Sequence, residues 1–109
     1  MKLSKRQQIF TKNVAKLIER IFEVDGYACT FGEAYRTETQ AKWNAEQGIG
    51  IVASLHRKRL AVDLNLFFMG MYLPSTESYR KFGEFWESLH PSNRWGGRFN
   101  DGNHFEMQE

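Results

Sequence analysis

Two histidines and an aspartate are the residues of this chain whose types suit a metal ion. His56 and Asp63 lie seven positions apart in SLHRKRLAVDL (54–64), and His104 lies in NDGNHFEM (100–107). Two histidines and one carboxylate, with a fourth position left for water, form the ligand set of a catalytic rather than a structural zinc. Spacing alone leaves an ordinary structural role open for each residue, because single histidines and strand aspartates are common.

The elements around His56 and Asp63 decide whether the two side chains can meet. Residues 60–68 alternate in the manner of a strand, which places Asp63 on the face that also carries small and polar residues. Seven extended residues span roughly 23 Å, whereas zinc ligands must all lie about 2.0–2.2 Å from one ion. A turn is therefore required between the two residues. The three consecutive basic residues 57–59 cannot be core, and they predict an exposed turn there.

Two acids flank His104 and are candidates for a general base. Asp101 precedes it by three residues in a Gly- and Asn-rich segment, and Glu106 follows it by two. If 103–107 is a strand, Glu106 shares a face with His104, since side chains alternate with period two. Spacing does not choose between these acids. The remaining histidine, His90, lies at a predicted helix end. A histidine interacts favourably with the helix dipole there, so His90 needs no role in metal binding.

The remaining pattern predicts an α+β domain spanning residues 1–109, with helices packed on a small, mostly antiparallel sheet. Apolar residues recur at helical spacing after a capping-box pattern at Ser4 and Gln7, up to Gly26. The other predicted elements are a strand at 27–31, a helix at 37–48, strands at 60–68 and 71–73, a helix after Pro74, a loop at 90–103 and a strand at 104–107.

Composition limits the class of protein. Hydrophobic residues make up 41% and charged residues 26%, which is typical of a globular chain. Cys29 is the only cysteine, so no intramolecular disulfide is expected. No signal-peptide core and no run of about 18 apolar residues is present, so we expect a product without a transmembrane segment, made in the cytoplasm. The net charge of +2 is too small to imply nucleic acid. Binding through the basic first helix would leave the three possible ligands unexplained, so no specific nucleic acid is expected.

The segments SLHRKRLAVDL and WGGRFNDGNHFE together resemble the zinc peptidases of the Hedgehog/D-alanyl-D-alanine peptidase fold. The similarity is greatest to small phage L-alanyl-D-glutamate endopeptidases (endolysins) and related D,D-carboxypeptidases. The family pattern, Ser-x-His-x6-Asp followed by an acid, two residues and His, falls on Ser54, His56, Asp63, Asp101 and His104. AYRTETQ (34–40) resembles the segment of the family that carries an arginine, here Arg36.

The resemblance implies a role for each of these residues. His56, Asp63 and His104 would bind Zn²⁺, Asp101 would be the general base, and Arg36 would face the substrate carbonyl or carboxylate. Ser54 would bind substrate or shape the turn. The implied substrates are peptidoglycan stem peptides, cut at the L-alanyl-D-glutamate bond, with D-alanyl-D-alanine cleavage or a non-catalytic zinc module as alternatives.

The chain departs from the family at two points. Many members have glycine where this chain has Arg59, so the turn after His56 is expected to be built differently. We also expect no cell-wall-binding domain within residues 1–109. The resemblance therefore leaves two settings open, a free lysin that acts on the wall after release or a component of a larger phage particle.

Overall fold

The computed structural model describes residues 1–32 and 55–109. Two helices and five strands with named bounds lie within these ranges. They are α1 (Leu3–Glu23), β1 (Tyr27–Phe31), β2 (Ala61–Phe68), β3 (Met71–Tyr72), α2 (Arg80–Ser88), β4 (Asn93–Trp95) and β5 (His104–Met107), with 3-10 turns at Thr76–Tyr79 and Gly96–Phe99. The predicted helix at 37–48 lies outside the described residues.

The long central strand β2 organises the sheet. The strand order is β1-β2-β5-β4, with β3 also paired to β2, and every described pair is antiparallel. The C-terminal part of β2 pairs with β1 and β3, whereas its first three residues pair with β5. The structure therefore confirms the predicted α+β class and the antiparallel sheet.

The apolar stripes of the two helices form the core against the sheet. Helix α1 contacts β1 and α2, and α2 contacts β4. The Trp86 side chain is fully buried, and its Nε1–H donates to the Glu106 carbonyl at 3.0 Å. The buried Tyr79 hydroxyl accepts from the Leu66 amide and donates to the Leu73 carbonyl. These bonds attach the second helical segment to β2 and β5.

The start of α1 differs from the predicted capping box. The helix begins at Leu3, and its N-cap residue, Lys2, makes no side-chain capping bond. Gln7 is instead used at long range, since its Nε2 donates to the Lys58 carbonyl at 2.8 Å. That bond ties the first helix to the turn that follows His56.

The segment predicted as a loop at 90–103 contains regular structure. Strand β4 and a 3-10 turn lie inside it, and the segment brings Trp95 into the core at 1% exposure. Within the described residues, no helix combines the length and apolar character needed to cross a membrane.

Candidate metal centre and active site

The three predicted metal ligands come from two adjacent strands and one turn. Asp63 of β2 is the direct cross-strand partner of His104 in β5, and cross-strand partners in an antiparallel pair have neighbouring side chains. Residues 55–57 are helical, and His56 lies in that short segment. The chain then reverses, with Arg59 at φ 57° and the Leu60 amide donating to the Leu55 carbonyl at 2.8 Å.

That reversal is the exposed basic turn expected from the sequence. Residues 57–59 are exposed, whereas Leu55, His56 and Leu60 on either side are buried. Arg59 adopts the left-handed backbone region in which glycine costs least. A glycine at this position would adopt the same conformation at a lower cost. In this chain the turn is made with arginine.

The distances between the three side chains fit a metal ion. Asp63 Oδ1 lies 3.3 Å from His56 Nε2 and 3.2 Å from His104 Nδ1. One ligand atom from each of the three residues falls within 4.8 Å of the others. Ligands on a tetrahedral zinc with bonds near 2.0–2.1 Å lie about 3.3 Å apart. The three residues are therefore positioned to hold a metal ion.

His56 gives an independent indication of the same site. Its side chain is completely buried, and neither ring nitrogen has a hydrogen-bond partner among the described residues. A buried polar atom without a partner costs about 1–3 kcal/mol. A metal ion beside Nε2 would supply the missing partner, so the donor set and the unsatisfied nitrogen both fit a metal.

The electrostatics of the cluster favour a charged carboxylate. Burial opposes the ionisation of Asp63, but the hydrogen bond with His104 and the nearby His56 imidazole outweigh this cost and hold the pKa of the carboxyl below its ordinary value. Burial also opposes protonation of His104. Its bonds to Asp63 and Glu106 nevertheless raise the pKa of the imidazole to about 8. In the absence of a metal, the two carboxylates thus hold a proton on His104.

Glu106 orients the His104 ring. The two residues are on the same face of β5, and His104 Nε2 lies 2.8 Å from Glu106 Oε1. With Nε2 engaged by a carboxylate, Nδ1 is the nitrogen that faces Asp63. The Glu106 side chain has no exposed surface. The Glu106 carboxylate therefore interacts with the His104 ring and not with solvent.

Asp101 is held in the tight segment between β4 and β5. Its amide donates to the Gly96 carbonyl at 2.9 Å, and its own carbonyl accepts from the His104 amide at 3.1 Å. Asp101 also lines a small polar cleft of about 170 Å³, whose other lining residues include Thr76 and Asn103. Asp101 does not belong to the three-residue metal cluster. Its role as general base stays a prediction. Arg36 and Ser54 lie outside the described residues.

The two glycines after Trp95 make room for side chains and backbone of the protein itself. A Cβ atom on Gly96 would lie 2.2 Å from the Asp101 carbonyl oxygen and 2.7 Å from His104 Cβ. A Cβ atom on Gly97 would lie 2.2 Å from the Trp95 ring. The WGG segment thus packs Trp95 and lets the backbone approach the two site residues closely.

One residue near the site was not identified from the sequence. Arg94 contacts Glu106 through its guanidinium, with Nη2 3.0 Å from Oε2. The contact depends on the register between β4 and β5, and β4 is a three-residue strand inside a segment that reads as a loop. No local sequence pattern signals that pairing.

Comparison with known proteins agrees with this geometry. A family model described as D-alanyl-D-alanine carboxypeptidase matches residues 48–107, which is 60 of the 109 residues. The match includes all three residues of the metal cluster as well as Asp101 and Glu106. No curated protein matches the chain. Since the match covers more than half of its length, the chain belongs to the peptidase family described as D-alanyl-D-alanine carboxypeptidase.

Proposed function

We propose that this protein is a zinc-dependent peptidase that hydrolyses a peptide bond in the stem peptides of peptidoglycan. The observation that carries the proposal is the meeting of His56, Asp63 and His104, each buried, around one possible metal position in a chain of this family. Two neutral imidazoles and one carboxylate leave a fourth coordination position open, as catalytic zinc sites do. A structural zinc would be expected to have four protein ligands.

The residues of the chain would divide the chemistry among them. His56 Nε2, Asp63 Oδ1 and His104 Nδ1 would hold the ion, which supplies polarisation of the scissile carbonyl and activation of the attacking water. Asp101 would take a proton from that water and pass it to the leaving amine. Arg36 would stabilise the developing oxyanion or orient a substrate carboxylate. Ser54 would bind the substrate or shape the turn.

For the bond that is cut, we propose L-alanyl-D-glutamate. The support is the resemblance of the Ser-x-His-x6-Asp pattern and of the acid at Asp101 to the phage endopeptidases. Cleavage of D-alanyl-D-alanine is the second candidate, and the description of the matching family favours it. A zinc-bearing module without turnover is the third; it would need the three ligands but no base. The enzyme would act on the wall after release from the cytoplasm or as part of a phage particle.

Digestion of purified peptidoglycan, followed by mass spectrometry of the fragments, tests the proposal. A new free amine on D-glutamate would support the endopeptidase, whereas released D-alanine would support the carboxypeptidase. His56→Ala should abolish both products. His90→Ala is the matched control, because the ring of His90 accepts from the nearby Ser92 amide and is not part of the metal cluster. A zinc-loaded wild-type protein that releases neither product would contradict the proposal and favour the non-catalytic module.

A further inference from the structure

Arg94 and Glu106 form a pair across the last two strands. They are direct partners in the β4–β5 register. Both Arg94 Nε and Arg94 Nη2 approach Glu106 Oε2, at 3.2 and 3.0 Å. The other oxygen, Oε1, lies 2.8 Å from His104 Nε2. Each carboxylate oxygen thus has its own partner, and the carboxylate connects the guanidinium to a proposed metal ligand.

A second set of contacts links the same two residues. The Arg94 guanidinium carbon lies 4.9 Å from the centre of the Phe99 ring. The Phe99 ring in turn lies 5.6 Å from that of His104. Arg94 therefore reaches His104 by two routes, through the Glu106 carboxylate and across the Phe99 ring. The contacts form a closed ring of four side chains, one of which is the His104 imidazole.

The burial of Glu106 explains why a permanent cation is needed there. Its side chain has no exposed surface, whereas the Arg94 side chain is 35% exposed. A buried carboxylate is costly unless it is paired. His104 cannot supply the compensating positive charge while it ligates a metal, because a metal-bound imidazole is neutral. Arginine remains charged under all such conditions, and Arg94 is the cation that contacts Glu106 among the described residues.

We propose that Arg94 is a positioning residue of the metal site. It holds the Glu106 carboxylate in the orientation that keeps the His104 Nε2–H bonded and directs Nδ1 toward the metal. Groups that orient a ligating histidine in this way are typically worth 10- to 100-fold in metal affinity. The proposal rests on the zinc site of the proposed function and does not depend on which bond is cut.

The first test compares zinc affinities of three variants by competition with a chelator. Arg94→Met, which keeps the length of the side chain but removes the charge, should weaken zinc binding by about 10- to 100-fold. Arg94→Lys should restore most of the affinity, because the ammonium can still pair with the carboxylate. Arg98→Met is the matched control. It removes an arginine from an exposed pair with Glu87 that does not contact His104.

A double-mutant cycle separates positioning from general destabilisation. If Arg94 acts through Glu106, Arg94→Met should weaken zinc binding much less in a Glu106→Gln background than in the wild type. Nitrogen-15 NMR of the zinc-bound protein gives a second readout. The His104 Nε2–H should be slowly exchanging in the wild type and in Arg98→Met, and should exchange faster in Arg94→Met.

The outcomes distinguish this proposal from the proposed function. Wild-type zinc affinity and a protected Nε2–H in Arg94→Met would overturn the positioning role and leave the peptidase proposal intact. Equal effects of Arg94→Met in both backgrounds would also overturn it, since the arginine would then act independently of Glu106. If Arg94→Met fails to fold, the comparison of Arg94→Lys with Arg98→Met decides. A folded Arg94→Lys variant that binds zinc much more weakly than Arg98→Met would refute the positioning role.

Discussion

Zinc binding should release a proton from His104, and the structure gives the size of the effect. The pKa of His104 in the metal-free protein is raised to about 8, so at pH 7 about 0.9 of the molecules carry the proton that a metal must displace. Between pH 6 and pH 8, this group alone should strengthen apparent zinc affinity on the order of 50-fold. The experiment therefore measures zinc affinity as a function of pH.

The same pKa shift acts on the stability of the metal-free protein with the opposite sign. The pKa of His104 is raised from 6.5 to about 8, which corresponds to about 2 kcal/mol of stabilisation. That stabilisation is fully present below pH 6.5 and is lost as the pH rises through 8. The pKa of Asp63 is lowered. Asp63 therefore stabilises the fold at pH values above the pKa that it has in the unfolded chain, and this contribution is lost as the pH falls through its folded pKa. The increase in Tm on adding zinc should therefore grow from pH 6 to pH 8.

Two assays check this prediction. Calorimetric titration of zinc at pH 7, in buffers with different ionisation enthalpies, should report release of about 0.9 proton from His104. Glu106→Gln should reduce the release, because Glu106 is one of the groups that raise the pKa of His104. His90→Ala should leave it unchanged. An increase in Tm that does not vary with pH, together with no proton release, would show that zinc does not displace a proton from His104.

Three further variants have defined outcomes. Asp101→Asn should keep zinc and fold but lose about 10²- to 10⁴-fold in turnover of peptidoglycan; unchanged turnover would exclude it as the base. Arg36→Ala should retain zinc and lower kcat by about 10²- to 10³-fold, and wild-type kinetics would mean that it is a surface residue. Gly83→Ala should lower the free energy of unfolding by about 1–3 kcal/mol despite the better helix propensity of alanine, because the added Cβ would lie 2.1 Å from the Trp95 ring. A denaturant titration that finds this variant more stable would contradict the packing.

Local signals predicted the turn after His56 and the side of the strand on which Asp63 lies, whereas the inclusion of His104 in one ligand set rested on the family resemblance. The ligand types are visible in the sequence, and the three basic residues at 57–59 require an exposed turn, which the structure has. The alternation of β2 also placed Asp63 on the correct side of the sheet, away from the apolar face of Leu64 and Leu66. These inferences need only periodicity and the cost of burying charge.

The remaining features depend on contacts between distant segments. Gln7 matched a capping box, but its amide bonds the Lys58 carbonyl 51 residues away. Arg94 contacts Glu106 only because β4 and β5 pair in one particular register. Trp95 of β4 also packs closely against Gly83 and Gly97, which are distant from β5 in sequence or lie in the following turn. No local pattern of residues encodes that packing.

We propose that the chain hydrolyses stem peptides at a site where His56, Asp63 and His104 would hold zinc. The most direct measurement is hydrolysis of a defined stem peptide by protein that has been stripped of metal and then reloaded with increasing amounts of zinc. We expect the rate to rise in proportion to zinc up to one ion per chain, with a new amine on D-glutamate, and His56→Ala to stay inactive at every zinc level. A folded, fully zinc-loaded wild-type protein that leaves every bond of the peptide intact would contradict the proposed function.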